Sequence, residues 1–226
     1  MTIITAPPDR DGLVLDQGDV LVVENHGLAT NTVVNMGGRL DLVGGGVSDH
    51  AIINAAGAER VNPFSTSNDS VINRGGREYV DRGVSNGTHI VGGVEIVDFK
   101  GHANDTTISG SGRLDILGTS DATNVTFAGQ GRNSVQIEVP ANLKGTISGW
   151  HVGDFVDLLD IRDVSVSESG NVLTVKYREG REDLQTTYTL ANQQSDTHFV
   201  VRPDGHNGTD IVLVAGAQPH HHEFFF

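Results

Sequence analysis

Residues 71–80 read VINRGGREYV: two β-branched residues run into Asn73, a pair of glycines follows, and the chain becomes extended again. The same phrase stands thirty-eight residues earlier as VVNMGGRLDL (33–42) and thirty-six residues later as TISGSGRLDI (107–116). A turn rewritten at fixed intervals marks a repeat architecture. The last glycine of each copy falls at Gly38, Gly57, Gly76, Gly93, Gly112 and Gly131, with spacings of 19, 19, 17, 19 and 19. Four residues after each glycine stand Leu42, Val61, Val80, Val97, Ile116 and Val135, all aliphatic. Four residues before stand Val34, Ile53, Ile72, Ile108 and Phe127, while the fourth copy offers Ile90 one position late. Asn35, Asn54 and Asn73 share a column, and a partial earlier copy, LVVENHGLA, surrounds Gly27.

A helical repeat would space its apolar residues by three and four. Here each copy holds short β-rich runs divided by Asn/Gly turns, and such runs are too short to stand alone. Stacking lets each run pair with its copies above and below, so that the Val/Ile columns fill a narrow interior. The expected fold is all-β: a parallel right-handed β-solenoid of about 19 residues per coil, with six coils rising roughly 29 Å at strand spacing. A β-sandwich with similar turns is the alternative, but it has no reason to keep a 19-residue period.

After Leu143 the period fades. GTISGWHVGDFVDLLDI (145–161) leads into DVSVSESGNVLTVKY, REGREDLQTTYTL and HFVVRPDGHNGTDIVLV. Alternating residues around Ser169-Gly170-Asn171 and Glu179-Gly180 predict hairpins. The organisation read from the sequence is a repeat region over 1–143, an antiparallel β module over 144–215 that covers the edge of the last coil, and a tail over 216–226. The other edge is expected near residues 11–25, with Pro7 and Pro8 blunting it because they lack N–H donors.

The 29 glycines against 6 prolines suit turns and not collagen, and aromatics at 5% leave little for a bulky aromatic core. With no Cys there are neither disulfides nor thiolate metal sites. A formal charge of −14 with only three lysines argues against nucleic acid and anionic membranes. No apolar run is long enough for a transmembrane helix. MTIITAPPDRDG lacks the basic and apolar regions of a Sec signal.

NMGGRLDLVGGGVSDHAIINAAG (35–57) and NRGGREYVDRGVSNGTHIVGG (73–93) resemble the AIDA-type repeats of bacterial autotransporter adhesins, over roughly residues 20–140. That resemblance implies a right-handed β-helix on or outside the cell, serving adhesion, self-association or biofilm, with Ser/Thr glycosylation in some members. The segment from Gly145 to Leu158 also resembles one that follows such repeats in large alphaproteobacterial surface proteins. The chain departs from an autotransporter in having no room for a membrane barrel.

Candidate chemistry is sparse. Asp154, Asp157, Asp160 and Asp163 offer oxygen ligands suited to calcium, but a spacing of three sends successive strand side chains to opposite faces, and a solvated edge is the plainer reading. DGHNGTD (204–210) faintly resembles a calcium nonapeptide of the repeat-in-toxin type, but that motif works by stacking repeats and this one occurs once, so a polar β-turn is the plainer reading. Arg39, Arg77, Arg113 and Arg132 follow the repeat glycine; they form a candidate outward ladder for acidic glycans, or pair with Asp41, Glu78, Glu95 and Asp115. Trp150 with Tyr79 is too little for an aromatic platform. His220, His221 and His222 are poor geometry for one metal site. Glu223 before Phe224, Phe225 and Phe226 resembles the end of a type I secretion substrate, or marks a self-association element. No nucleophile-elbow motif is present, and the carboxylates are scattered, unlike the clusters of β-helix polysaccharide lyases. The expected function is a non-enzymatic extracellular structural or adhesive protein that self-associates as a homo-oligomer or filament. No cofactor is expected beyond calcium, and the alternatives are a glycan-binding adhesin module or a β-helix lyase.

Overall fold

The computed structural model describes residues 2–129 and 131–216, with side chains described from Thr5 onward. Among the described residues the architecture is all-β with one short 3-10 turn, Pro140–Asn142. Each coil contributes three extended runs. One run builds a long face of nine parallel strands in chain order: Thr2–Ala6, Asp19–Val23, Arg39–Leu42, Ala58–Val61, Arg77–Asp81, Val94–Asp98, Arg113–Ile116, Ser134–Ile137 and Phe155–Leu158. Two shorter runs, exemplified by Thr66–Asn68 and Val71–Asn73, build two further faces from strands that are again parallel. The predicted parallel β-solenoid is therefore the observed fold, and it has eight turns rather than six.

Strand alternation sets the core. Along the long face, the second and fourth residues after the corner point inward, and the first and third point outward. The inward column Val23, Leu42, Val61, Val80, Val97, Ile116, Ile137 and Leu158 is in continuous register and fully buried. It meets Val34, Ile53, Ile72, Ile90, Ile108 and Phe127 from the facing side.

The corner explains the double glycine. The first position needs a left-handed backbone, with φ of 78° at Gly37 and 83° at Gly75. The second needs bare space, because it lies flush on the coil before it: a β-carbon on Gly38 would stand 2.2 Å from the Leu15 carbonyl oxygen.

The 17-residue coil has lost one residue at each of two corners. Val61 pairs with Val80 and Arg77 with Val94, but Ser67 with Ser85 and Ile72 with Ile90, so the deletions fall in the bends and the pairs realign. This is why Ile90 stands one place late. One column assignment needs correction. Ile116 pairs with Ile137, and Val135 pairs with Leu114, so the sixth copy is two residues out of step with Gly131. The corner between Phe127 and Ser134 holds two extra residues, and Asn133, not Gly131, takes the place of Gly112. Its side chain anchors it by accepting from the Ser111 N–H at 3.0 Å and donating to Asp154 at 2.9 Å.

Parallel pairing continues past Leu143 through Leu143–Ser148 and Phe155–Leu158. The hairpins then close the stack. Thr209–Ala215 pairs antiparallel with Phe155–Leu158, and Glu182–Ala191 pairs with Leu143–Ser148. The two predicted hairpin turns form, as two-residue loops at Gly170-Asn171 and Gly180-Arg181. Trp150 seals this junction. It is fully buried between Phe127 and Phe199, 5.4 and 4.9 Å between ring centroids, and its Nε1 donates to the Asp154 carbonyl at 3.1 Å. At the opposite end the first strand of the long face is Thr2–Ala6, one coil earlier than the sequence suggested, because Pro7 follows the strand instead of occupying it.

Candidate functional site

The least expected group lies inside the solenoid. The other inward column of the long face reads Leu21, Leu40, Glu59, Glu78, Glu95, Leu114, Val135. Three successive coils thus place a glutamate where their neighbours place leucine, and all three are fully buried. The wall facing them is hydroxylated over the same coils. Ser48 and Ser70 donate to Glu59, the latter at 3.0 Å; Thr88 donates to Glu78 at 3.4 Å; Ser85 and Thr106 donate to Glu95, the latter at 3.2 Å. Among the described residues, Oε1 of Glu78 has no hydrogen-bond partner. Burial raises the Glu59 carboxyl despite its serine donors. Burial, then the like charges of Glu59 and Glu95, holds Glu78 well above the ordinary range. Burial lifts Glu95 to about 7. With no exposed surface, this acidic cluster is out of reach of any substrate. Glu78 and Glu95 therefore do not pair with the outward arginines.

Outside, Arg39, Arg77 and Arg113 share one column but alternate with Ala58 and Val94, and the next place is Ser134. Arg132 lies in the widened corner, over the Phe155 ring at 5.3 Å. Arg39 contacts Asp41 at 2.8 Å and Arg113 donates to Asp115 at 3.0 Å, whereas Arg77 donates to the Tyr79 hydroxyl at 3.4 Å.

A shallow groove of about 340 Å³ crosses three coils of the same face, between Arg60, Tyr79, Asp81, Ile96, Asp98 and Phe99. Arg60 lies 5.9 Å from the Tyr79 ring and Arg82 lies 5.8 Å from Phe99. Phe64 and Phe99 are 89% and 56% exposed, and both stand in left-handed backbone, φ 67° and 49°. Bulky residues rarely adopt that region. The signal for this site was legible: both phenylalanines occupy a corner that holds Gly44 and Gly45 in an earlier coil.

The shared asparagine column is a ladder. Asn35 donates to Asp16, Asn54 to Asn35 and Asn73 to Asn54, each at 2.9 Å. The four aspartates weighed for calcium go separate ways. Asp154 anchors the corner of Asn133, Asp157 lies on the long face accepting from Gln136 at 2.9 Å, and Asp160 and Asp163 stand in left-handed turns. Asp204 accepts from the N–H groups of His206 and Gly208 within its own loop. Among the described residues, one trio, Asp49, His50 and Asp69, brings its ligand atoms within 4.8 Å of one another, on an exposed corner. His220, His221, His222, Glu223, Phe224, Phe225 and Phe226 lie outside the described residues. Among the described residues no helix is long and apolar enough to cross a membrane.

No family model matches the chain, and no curated protein matches it either. Among solved structures, the crystal structure of a TibC-catalysed, hyper-glycosylated TibA fragment is similar over 68% of this chain and 80% of that one, at 18% identity and a TM-score of 0.33. At that score the fold of this chain stands on its own register alone.

Proposed function

We propose that this chain is a non-enzymatic structural and adhesive element of a surface or extracellular assembly, in which solenoids associate side by side. The observation that carries the reading is an outward aliphatic stripe. Val14, Val33, Ile52 and Val71 stand in register on one short face, one per coil over four coils. Val14 and Ile52 are among the exposed large hydrophobics. A flat row of β-branched side chains facing water loses surface when a second copy lies against it. The net charge of −14 opposes that contact, so screening favours it; the Debye length falls from about 30 Å at 10 mM salt to about 8 Å at 150 mM. Composition and the resemblance of the repeats support a place outside the cell.

The test is light scattering across that salt range. Mass should grow with concentration and salt, and the variant V33T/I52T/V71T should remain monomeric while keeping its β spectrum. Phe224, Phe225 and Phe226 replaced by serine distinguishes the tail as an alternative contact. A wild-type chain that stays monomeric throughout removes the assembly reading.

A second reading, a glycan-binding module, is favoured by the groove at Tyr79 and Phe99. Two aromatic faces there stand beside Arg60, Asp81 and Asp98, which offer donors and acceptors suited to hydroxyls.

A further inference from the structure

The stacked glutamates serve neither outward contact, and their setting is unusual for charge. Glu59, Glu78 and Glu95 are adjacent partners in the parallel ladder, so their backbones are about one strand spacing, ~4.8 Å, apart. The walls packed on them are Ser48, Ser67 and Ser85 on one short face and Ser70, Thr88 and Thr106 at the next corner, with Leu40 and Leu114 above and below. Among the described residues, the buried set contains no Lys, Arg or His. The titratable groups facing each glutamate are therefore the other two. A hydroxyl can donate one bond to a carboxylate, but it supplies no counter-charge. Ionised carboxylates stacked in this way carry both the desolvation penalty and mutual repulsion.

We propose that Glu59, Glu78 and Glu95 form a proton-holding latch, which keeps the three middle coils stacked while its carboxyls are protonated and loosens them as the protons leave. The solenoid would then be tightest in acid, the reverse of a fold held by ion pairs. The sign follows from linkage. A carboxyl whose folded pKa is raised stabilises fully below its unfolded value, and that stability is lost as pH rises through the folded value. Here the window opens near the ordinary 4.5 and runs to about 7 at Glu95, with Glu78 raised as well. The proposal does not depend on what the outer surface binds.

The experiment compares melting temperatures of the full chain and of E59Q/E78Q/E95Q from pH 4.5 to 8.5. Glutamine keeps the shape and the hydroxyl contacts but removes the titration. The wild-type chain should lose at least about 5 °C more than the variant over that range. Parallel curves would overturn the latch. If the triple variant fails to fold, E78Q alone serves, since Glu78 lies between the other two. Infrared spectroscopy of the wild-type chain at pH 6 gives an independent reading. A protonated-carboxyl band that weakens in E78Q supports the proposal, and absence of that band from the wild-type chain overturns it.

Discussion

Gly57 rides directly on the Val34 carbonyl: a β-carbon there would stand 2.4 Å from the oxygen and 3.0 Å from that of Asn35. No rotation relieves this clash, because both atoms belong to the backbone of the coil before. Gly57→Ala should therefore destabilise by about 1–3 kcal/mol, as overpacking does, and lower the melting temperature by several degrees. Its neighbour Ala56 gives the contrast. It occupies left-handed backbone at φ 58°, where adjacent coils have Gly37 and Gly75. Ala56→Gly should be neutral or mildly stabilising, since it relieves strain without opening a cavity. Thermal melts in which Gly57→Ala falls while Ala56→Gly holds or rises check the account of the double glycine.

Val80 lies between Val61 and Val97 in the inward column, two residues along the strand from Glu78. Val80→Asp would put a charge there without a hydroxyl to meet it, and should cost several kcal/mol, comparable to the whole stability of a domain. Expression as an insoluble or molten chain is the expected outcome. A melt indistinguishable from wild type would mean that the inward column is misplaced.

The asparagine ladder should behave as a chain of coupled bonds. Asn54 both donates to Asn35 and accepts from Asn73. Asn54→Ala removes two bonds and should cost about 1–2 kcal/mol, with each bond worth about 0.5–1.5. Asn73→Ala removes one of these two bonds, so it should cost less. Denaturant titration of the pair would show whether the contributions follow bond count.

Asp157 faces outward yet is buried, and burial, followed by the charges of Asp210 and Asp204, raises its carboxyl to about 6. Its stabilising influence is present below the unfolded value near 3.8 and is lost as pH rises through 6. Asp157→Asn should accordingly raise the melting temperature by a few degrees at pH 8 and leave it nearly unchanged at pH 4. An equal effect at both pH values would assign the change to packing.

For the groove, Phe99→Ser and Arg60→Ala should abolish any retention on immobilised polysaccharides while leaving the melting curve within about 0.5 kcal/mol of wild type, as surface changes do. V33T/I52T/V71T should leave that retention intact. Retention lost in both, or in neither, would disconnect the groove from binding.

The 19-residue period, written in Gly38, Gly57 and Gly76, was enough by itself to determine a parallel solenoid. A repeat of identical turns can only stack, and aliphatic residues four places past the turn must then point inward. The same alternation already implied that residues two places past the turn point inward too, so Glu59, Glu78 and Glu95 were legible as buried. Their charge disguised them as surface residues. Other features were decided only by the folded chain. The two extra residues before Ser134 shift the sixth copy, and only pairing with the coil before reveals where an insertion is absorbed. The groove joins Arg60, Tyr79 and Phe99 from three coils, which are brought together by strand spacing and not by sequence distance. That Trp150 is buried was also decided by the folded chain, because the closing hairpins lay Phe199 over it. Sequence period fixes which residues share a column; how columns from different coils meet depends on the corners, and corner geometry is set by contacts that a linear pattern does not contain.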